Sequence, residues 1–248
     1  MIKLLTKLAT FLLLATLLVP VAQADFALKS VQIDTANKAD LRNGAAYFMT
    51  YCMACHSIRA DRFSDMSHVL GLPLEKIQSE FNSTSLKVHD AIVSPMAPAD
   101  ATHWFGLAPP DLSVIIKMNG ANWVYTYLTS FYLDPSRATG VNNAVFHNVA
   151  MPDVLWQLQG LQMPVYTQGT KNGHSTQVLT GLKLVSPGTL TPAEFDKTMR
   201  DIVTFLYWAN HPHQAEREHI GLWVMLFMAL FIVVAYLLKH EYWRAVKH

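Results

Sequence analysis

Cys52-Met53-Ala54-Cys55-His56 holds both cysteines of a 248-residue chain, three positions apart, with a histidine directly after the second. Three chemistries use two thiols at this spacing: half of a zinc site, a redox disulfide and the attachment of a c-type haem. Zinc wants further Cys or His ligands at matching spacing, and the chain has no second C-x-x-C. A thioredoxin-like disulfide wants a strand feeding a helix that begins at the first cysteine, whereas here a helical pattern comes before it. Covalent haem fits the motif without strain. The i, i+3 spacing puts both sulfurs on one side of a turn, where each can form a thioether to a vinyl group, and His56 is placed to ligate iron.

A haem with one histidine needs its other axial position explained. Methionine opposite histidine gives a closed site of raised potential suited to electron transfer, whereas an open position suits oxygen or peroxide chemistry. Three methionines sit beside prolines in loop-like sequence: Met96 in SPMAP, Met151 in NVAMPD and Met163 in LQMPVY. Spacing favours Met151, which ends a long irregular segment well after the attachment motif. His103, His147 and His174 are rivals for the same position, although a single Met is more often core filler and a single His more often a solvated side chain.

These residues need elements to hold them. Leu41, Ala45, Phe48 and Cys52 fall at i, i+4, i+7 and i+11, so an amphipathic helix should lead into the motif and carry the first sulfur on its apolar face. Asn122 is expected to cap a helix through WVYTYLTSFY that ends at Asp134-Pro135. Thr191-Pro192-Ala193-Glu194 reads as a capping box opening a helix to about Trp208, before His211-Pro212 breaks the chain. Residues 177–188 suggest a small hairpin. Residues 132–150 are longer and less regular than a compact helical domain tolerates unless something orders them.

The chain is 51% hydrophobic, and the excess sits at its two ends. Residues 1–24 have Lys3 and Lys7 ahead of a short apolar core and the small-residue pattern Ala22-Gln23-Ala24, which reads as a cleavable secretory signal peptide rather than an uncleaved anchor. Ile220 to Leu238 contains no charged residue and is long enough to cross a bilayer as a helix. Lys239, Arg244 and Lys247 follow it, so its C-terminal side should be cytoplasmic and residues 25–210 an exported domain. Trp243 and Tyr242 suit the interface there. Removing Lys3, Lys7, Lys239, Arg244, Lys247 and Glu241 from the totals of 19 basic and 18 acidic residues leaves 14 and 17, a net of −3 for residues 25–219, the whole stretch ahead of the span. That balance is no sign of nucleic-acid binding.

YCMACHS, LAPPDLS, NWVYTYLTSFYLDPSRATGVNN, NVAMPDVLW and DIVTFLYWANHP leading into the C-terminal apolar block together resemble the cytochrome c1 family of the proteobacterial ubiquinol–cytochrome c reductase (bc1 complex). The likeness covers essentially the whole chain. It implies a mainly α c-type cytochrome haem domain with long loops and a single C-terminal transmembrane helix at 220–238, followed by a cytoplasmic tail at 239–248. It implies one covalent haem c held by Cys52 and Cys55, with His56 and Met151 as axial ligands, because the family's methionine lies in a loop that matches Met151. The family's proline segment, here Pro109-Pro110-Asp111-Leu112, lies on the histidine side, and a carbonyl in it is expected to accept the His56 Nδ1 proton.

Two departures stand out. Where relatives carry an arginine pair after Asp-Leu-Ser, this chain offers Lys117, a point charge without the guanidinium fork, so haem propionates would meet Lys117, Arg137 or a donor such as Trp123. Asp153 stands where close relatives often have histidine. The resemblance implies electron relay in the bacterial inner membrane, with the haem domain in the periplasm: a Rieske iron–sulfur protein as donor, cytochrome c as acceptor, cytochrome b and the lipid bilayer as permanent neighbours, and no nucleic acid. The alternatives are a membrane-anchored mono-haem cytochrome serving a terminal oxidase or dehydrogenase, and a haem peroxidase or gas sensor with an open sixth position.

Overall fold

The helix expected ahead of the cysteines is α1 (Lys38–Tyr51), with Leu41, Gly44, Ala45 and Phe48 buried along one face. Asn37 caps it, its Oδ1 accepting from Ala39 N and Asp40 N at 3.0 and 3.4 Å, which satisfies two of the amides a helix start leaves without partners. The computed structural model describes residues 26–82, 84–171, 174–212 and 214–244, so the expected signal peptide lies outside the described residues. About half of the chain is helical.

After α1 come β1 (Ile58–Arg62), α2 (Phe63–Leu70), and α3 (Leu74–Lys76), which widens into a π-helical turn over Ile77–Phe81. Next are β2 (Ala91–Ile92), α4 (Pro98–Phe105), α5 (Ile115–Asn119), α6 (Ala121–Leu128), β3 (Phe131–Leu133), β4 (Val141–Asn143) and α7 (Trp156–Gln159). The chain finishes with β5 (Gly160–Lys171), β6 (His174–Pro187), α8 (Pro192–Asn210) and α9 (Gln214–Arg244). The strands form three separate antiparallel pairs, β1 with β2, β3 with β4 and β5 with β6.

The chain divides into two compact units. Among the described residues, the motif unit comprises Ile33–Ala97, Pro110–Met118 and 201–244. Its core combines the buried face of α1 with Phe63, Met66 and Leu70 of α2, Ile77, and Ile202, Val203, Phe205, Leu206 and Ala209 of α8. Phe48 and Phe205 meet with ring centroids 5.5 Å apart, an aromatic contact that adds to area burial. Gly44 is the closest approach of α1 to α8: a Cβ there would lie 2.0 Å from the Asp201 carbonyl oxygen. Because the obstacle is backbone, it cannot be relieved by a rotamer change. Gly44→Ala should therefore cost about 3 kcal/mol, the upper part of the range for overpacking. For a chain of this size that lowers Tm by roughly 10 °C, measured by thermal unfolding of the full chain in detergent.

Among the described residues, the loop unit comprises 26–32, Pro98–Pro109 and Asn119–Arg200. Here the structure corrects three expectations. The hairpin is not confined to 177–188: residues 160–171 pair with 174–187 along their whole length, with bulges at Leu161/Gln162 and Val165/Tyr166. The helix at 121 does not run to Tyr132. It ends at Leu128, where Thr129 Oγ1 donates to the Tyr125 and Thr126 carbonyls, and the next residues pair as β3 with β4. Asn122 does not cap it either; Gly120 precedes the helix, and Asn122 Oδ1 accepts from Val31 N at 2.9 Å, which ties the irregular segment around Val31 to α6. The expected capping box is present at α8, with Glu194 Oε2 accepting from Thr191 N at 2.8 Å and Glu194 N donating to Thr191 Oγ1 at 3.3 Å.

Buried side-chain amides order the irregular stretch 132–150. Asn143 Oδ1 accepts from Val145 N and Phe146 N, and its Nδ2 donates to Tyr127 O at 2.8 Å. Asn142 Oδ1 accepts from Asn143 N and Asn148 N, while its Nδ2 donates to Asp134 Oδ2 at 2.9 Å. These bonds do for a loop what ladder bonds do for a sheet.

α9 continues beyond the expected 220–238 in both directions. Arg217–Arg244 is the one candidate span among the described residues, 28 residues containing an 18-residue stretch of mean hydropathy 2.6, and its apolar side chains are exposed. At ~1.5 Å per residue it exceeds the roughly 30 Å of bilayer hydrocarbon, so it is long enough to anchor the chain in a membrane.

Candidate functional site

At the end of α1 the Cys52 carbonyl accepts from both Cys55 N at 3.0 Å and His56 N at 2.8 Å. This closes a tight turn that brings the two cysteines and the histidine onto one short stretch of backbone. Met53 points into the core while Ala54 is exposed. Both cysteines are free thiols and half-buried. Burial pushes the Cys52 thiol up to about 12, with the neighbouring Cys55 adding to the effect, and burial raises Cys55 as well. A disulfide-exchanging pair shows the opposite, a depressed thiol that is ready to attack.

His56 Nδ1 lies 2.8 Å from the Pro110 carbonyl oxygen. A carbonyl only accepts, so Nδ1 carries the proton and Nε2 keeps its lone pair for a ligand. Burial lowers the basicity of the ring, opposed by the Pro110 bond and by the Asp111 carboxylate. The ring is thus neutral near pH 7, the form that binds a metal. The proline segment is pinned to the strand after the motif by three more bonds: Leu112 N to Ser57 O at 2.8 Å, Arg59 N to Asp111 Oδ2 at 3.1 Å and Ala60 N to Ser113 Oγ at 3.1 Å. On the other side of the turn Ser94 Oγ donates to the Ala54 carbonyl, and Ser94 N donates to Ser57 Oγ. The donor set fits a c-type haem: two unpaired thiols at i and i+3, an adjacent imidazole with one nitrogen committed and one open, and exposed apolar Val114 and Met118 in the same unit.

Cys52, Cys55, His56, Pro110 and Lys117 all belong to the motif unit. Lys117 is exposed on α5. Met96 is half-buried in this unit, its amide donating to Ser94 Oγ at 3.1 Å. Met151 belongs to the loop unit. There its Sδ accepts from Tyr127 OH at 3.3 Å. Tyr127 stacks on Trp123 with centroids 5.2 Å apart and meets Phe131 and Phe146 edge-on, and burial pushes its hydroxyl above the usual phenol range. Asp153, two residues on, is half-buried; burial raises its carboxyl to about 6 against a bond from Leu155 N. Of the rivals, Met163 is exposed on β5, and His103 and His147 are exposed. The sequence reading missed Tyr127 as the partner of Met151. The signal available was an aromatic run, Trp123 to Phe131, immediately before the segment that ends at Met151.

Comparison with known proteins fits this arrangement. A family model for the cytochrome C1 family matches residues 29–246. Cytochrome c1 of Allochromatium vinosum is 43% identical over 239 residues, covering 96% of this chain and 98% of that protein. A protein of Nitrosomonas europaea named ammonia monooxygenase gamma subunit is 39% identical over 244 residues, covering 97% and 99%. Cytochrome c1 of Rhodospirillum rubrum is 26% identical over 241 residues, covering 86% and 84%. With nearly its whole length matched in both comparisons, the chain belongs to the cytochrome C1 family.

Proposed function

We propose that this chain is the haem-bearing electron-transfer subunit of a ubiquinol–cytochrome c reductase, taking electrons from a Rieske iron–sulfur protein and delivering them to a cytochrome c. Proteins of this family carry a covalent c-type haem. The observation that carries the reading is the His56 Nδ1 bond to Pro110 beside two free thiols, which leaves one imidazole nitrogen and two sulfurs uncommitted on a single short turn. Cys52 and Cys55 would hold it by thioethers, and His56 Nε2 and Met151 Sδ would ligate its iron. A haem so held supplies one-electron redox chemistry at a potential set by its ligands and their surroundings.

The chain's own residues do the rest. Pro110 fixes the His56 tautomer and makes the ring a stronger donor. The Met151 thioether has a second lone pair, which Tyr127 occupies, so the sulfur is oriented by a buried hydroxyl. Lys117 or Arg137 neutralises propionate charge. α9 anchors the chain beside a cytochrome b, and the basic residues after its apolar stretch put the C-terminus in the cytoplasm and residues 25–210 in the periplasm.

The test is purification of the native membrane protein in mild detergent, with a pyridine haemochrome spectrum and identification of the co-purifying subunits. One thioether-linked haem per chain, with a cytochrome b and a Rieske protein as companions, is the expected result. The name of the Nitrosomonas relative favours one second reading, association with a monooxygenase. Co-purification with monooxygenase or terminal-oxidase subunits, and no cytochrome b, would reject the reductase assignment.

A further inference from the structure

Asn210, the last residue of α8, is fully buried, and every polar atom of its side chain is used. Its Oδ1 accepts from Ile116 N at 2.8 Å, and its Nδ2 donates to Leu112 O and Leu206 O, each at 2.9 Å. The carboxamide orientation is unambiguous, since one side faces an N–H and the other faces carbonyls. Leu112 C=O and Ile116 N–H are four residues apart, the pair that a regular α-helical turn would bond to each other. The Asn210 side chain bridges them and stands in for a peptide group at the start of α5.

The same segment carries Pro110. Between Pro110 and Ile116 it is held on one face by His56, Ser57, Arg59 and Ala60, and on the other by Asn210. The bonds on the first face come from the stretch that carries His56 itself, so a second attachment is needed to fix the segment independently of that stretch. Asn210 supplies the attachment to α8, whose Ile202, Phe205 and Leu206 are core residues.

We propose that Asn210 is a positioning residue for the axial histidine: by anchoring Leu112–Ile116 to α8, it holds the Pro110 carbonyl where it keeps the His56 Nδ1 proton. Serine at 210 is too short to reach both Leu112 and Ile116, while an aspartate faces two carbonyls with an acceptor where a donor is needed. Either change frees the Pro110 carbonyl to drift, weakens the bond to Nδ1, and makes His56 a poorer donor to ferric iron. The midpoint potential then rises.

This rests on His56 as the axial nitrogen ligand, and the experiment separates the two. The haem-loaded full chain, reduced and labelled with ¹⁵N-histidine, is followed by NMR. In the wild type the His56 ring should show the large ring-current displacement of a haem ligand. Its Nδ1 proton should exchange with the same denaturant dependence as the Ile116 amide, since one opening exposes both. In Asn210→Ser the Nδ1 proton should exchange about tenfold faster or more, with a raised midpoint and unchanged protection across β5 and β6. An undisplaced wild-type ring removes the premise. A displaced ring whose Nδ1 exchange and midpoint are unaffected by Asn210→Ser and Asn210→Asp overturns the Asn210 inference alone. If neither variant accumulates with haem, the wild-type comparison decides it: a Nδ1 proton that exchanges independently of Ile116 overturns the inference.

Discussion

Replacing Cys52 and Cys55 together by alanine is expected to abolish covalently held haem: denaturing electrophoresis of the membranes should show no haem-linked peroxidase stain at the size of this chain. These are the chain's only cysteines, so no other side chain can take over the attachment. Each single variant keeps one sulfur, should retain reduced staining, and should move the haemochrome band toward that of a haem with one free vinyl group. The loss extends beyond staining. Val114 and Met118 expose apolar surface in the unit that carries the motif, and a group that binds the folded chain only stabilises it by mass action. The double variant should therefore accumulate to a small fraction of the wild-type level. The two thiols of the wild type should resist iodoacetamide even after reduction by dithiothreitol, because thioethers are not reducible. A wild-type chain that takes up two equivalents of the reagent would contradict thioether attachment and return the motif to thiol chemistry.

How much of this was open to reading beforehand depended on whether the cause was local. The face of α1 is a matter of 3.6-residue spacing among Leu41, Ala45 and Phe48, and the start of α8 is written in four consecutive residues from Thr191 to Glu194. The charge-free run in α9 needs no tertiary context either. The partnership of His56 with Pro110 joins residues 54 positions apart, and it was expected only because the whole chain resembles a family. Where local signals failed, a non-local contact had won. The aromatic and β-branched residues after Leu128 carry helical spacing, yet Phe131–Leu133 pairs with Val141–Asn143 and the helix stops. Residues 160–171 mix Gly, Pro and Gln and look like loop, although they form one strand of the longest hairpin. Asn210 could not have been found at all from the sequence. A buried amide at a helix end looks like any C-terminal asparagine until the backbone it bridges, nearly a hundred positions earlier, is placed against it.

Met151→Leu is the companion prediction for the other axial position. Leucine fills a similar volume and has no lone pair, so packing is largely kept while the sulfur is lost. The variant should still carry covalent haem, because Cys52 and Cys55 are untouched. Its ferric spectrum should lose the near-infrared methionine–sulfur band, added cyanide or imidazole should bind where the wild type excludes them, and the midpoint potential should fall by on the order of 100 mV or more, given that axial ligand identity spreads haem potentials over about 0.8 V. Tyr127→Phe provides the graded control. It removes only the hydroxyl that donates to Met151 Sδ, a bond worth about 1 kcal/mol, and leaves the stack on Trp123 in place. A donor on the sulfur withdraws electron density and favours the more electron-rich ferrous state, so its removal should lower the midpoint slightly while the near-infrared band persists. A large fall in Met151→Leu and a small fall in Tyr127→Phe, both downward, would identify the sulfur and its hydroxyl partner as one ligand system. If Met151→Leu keeps the near-infrared band, the ligand is another methionine. Met96→Leu then becomes the variant to measure, because Met96 is tied through Ser94 to the carbonyl of Ala54 within the haem motif itself.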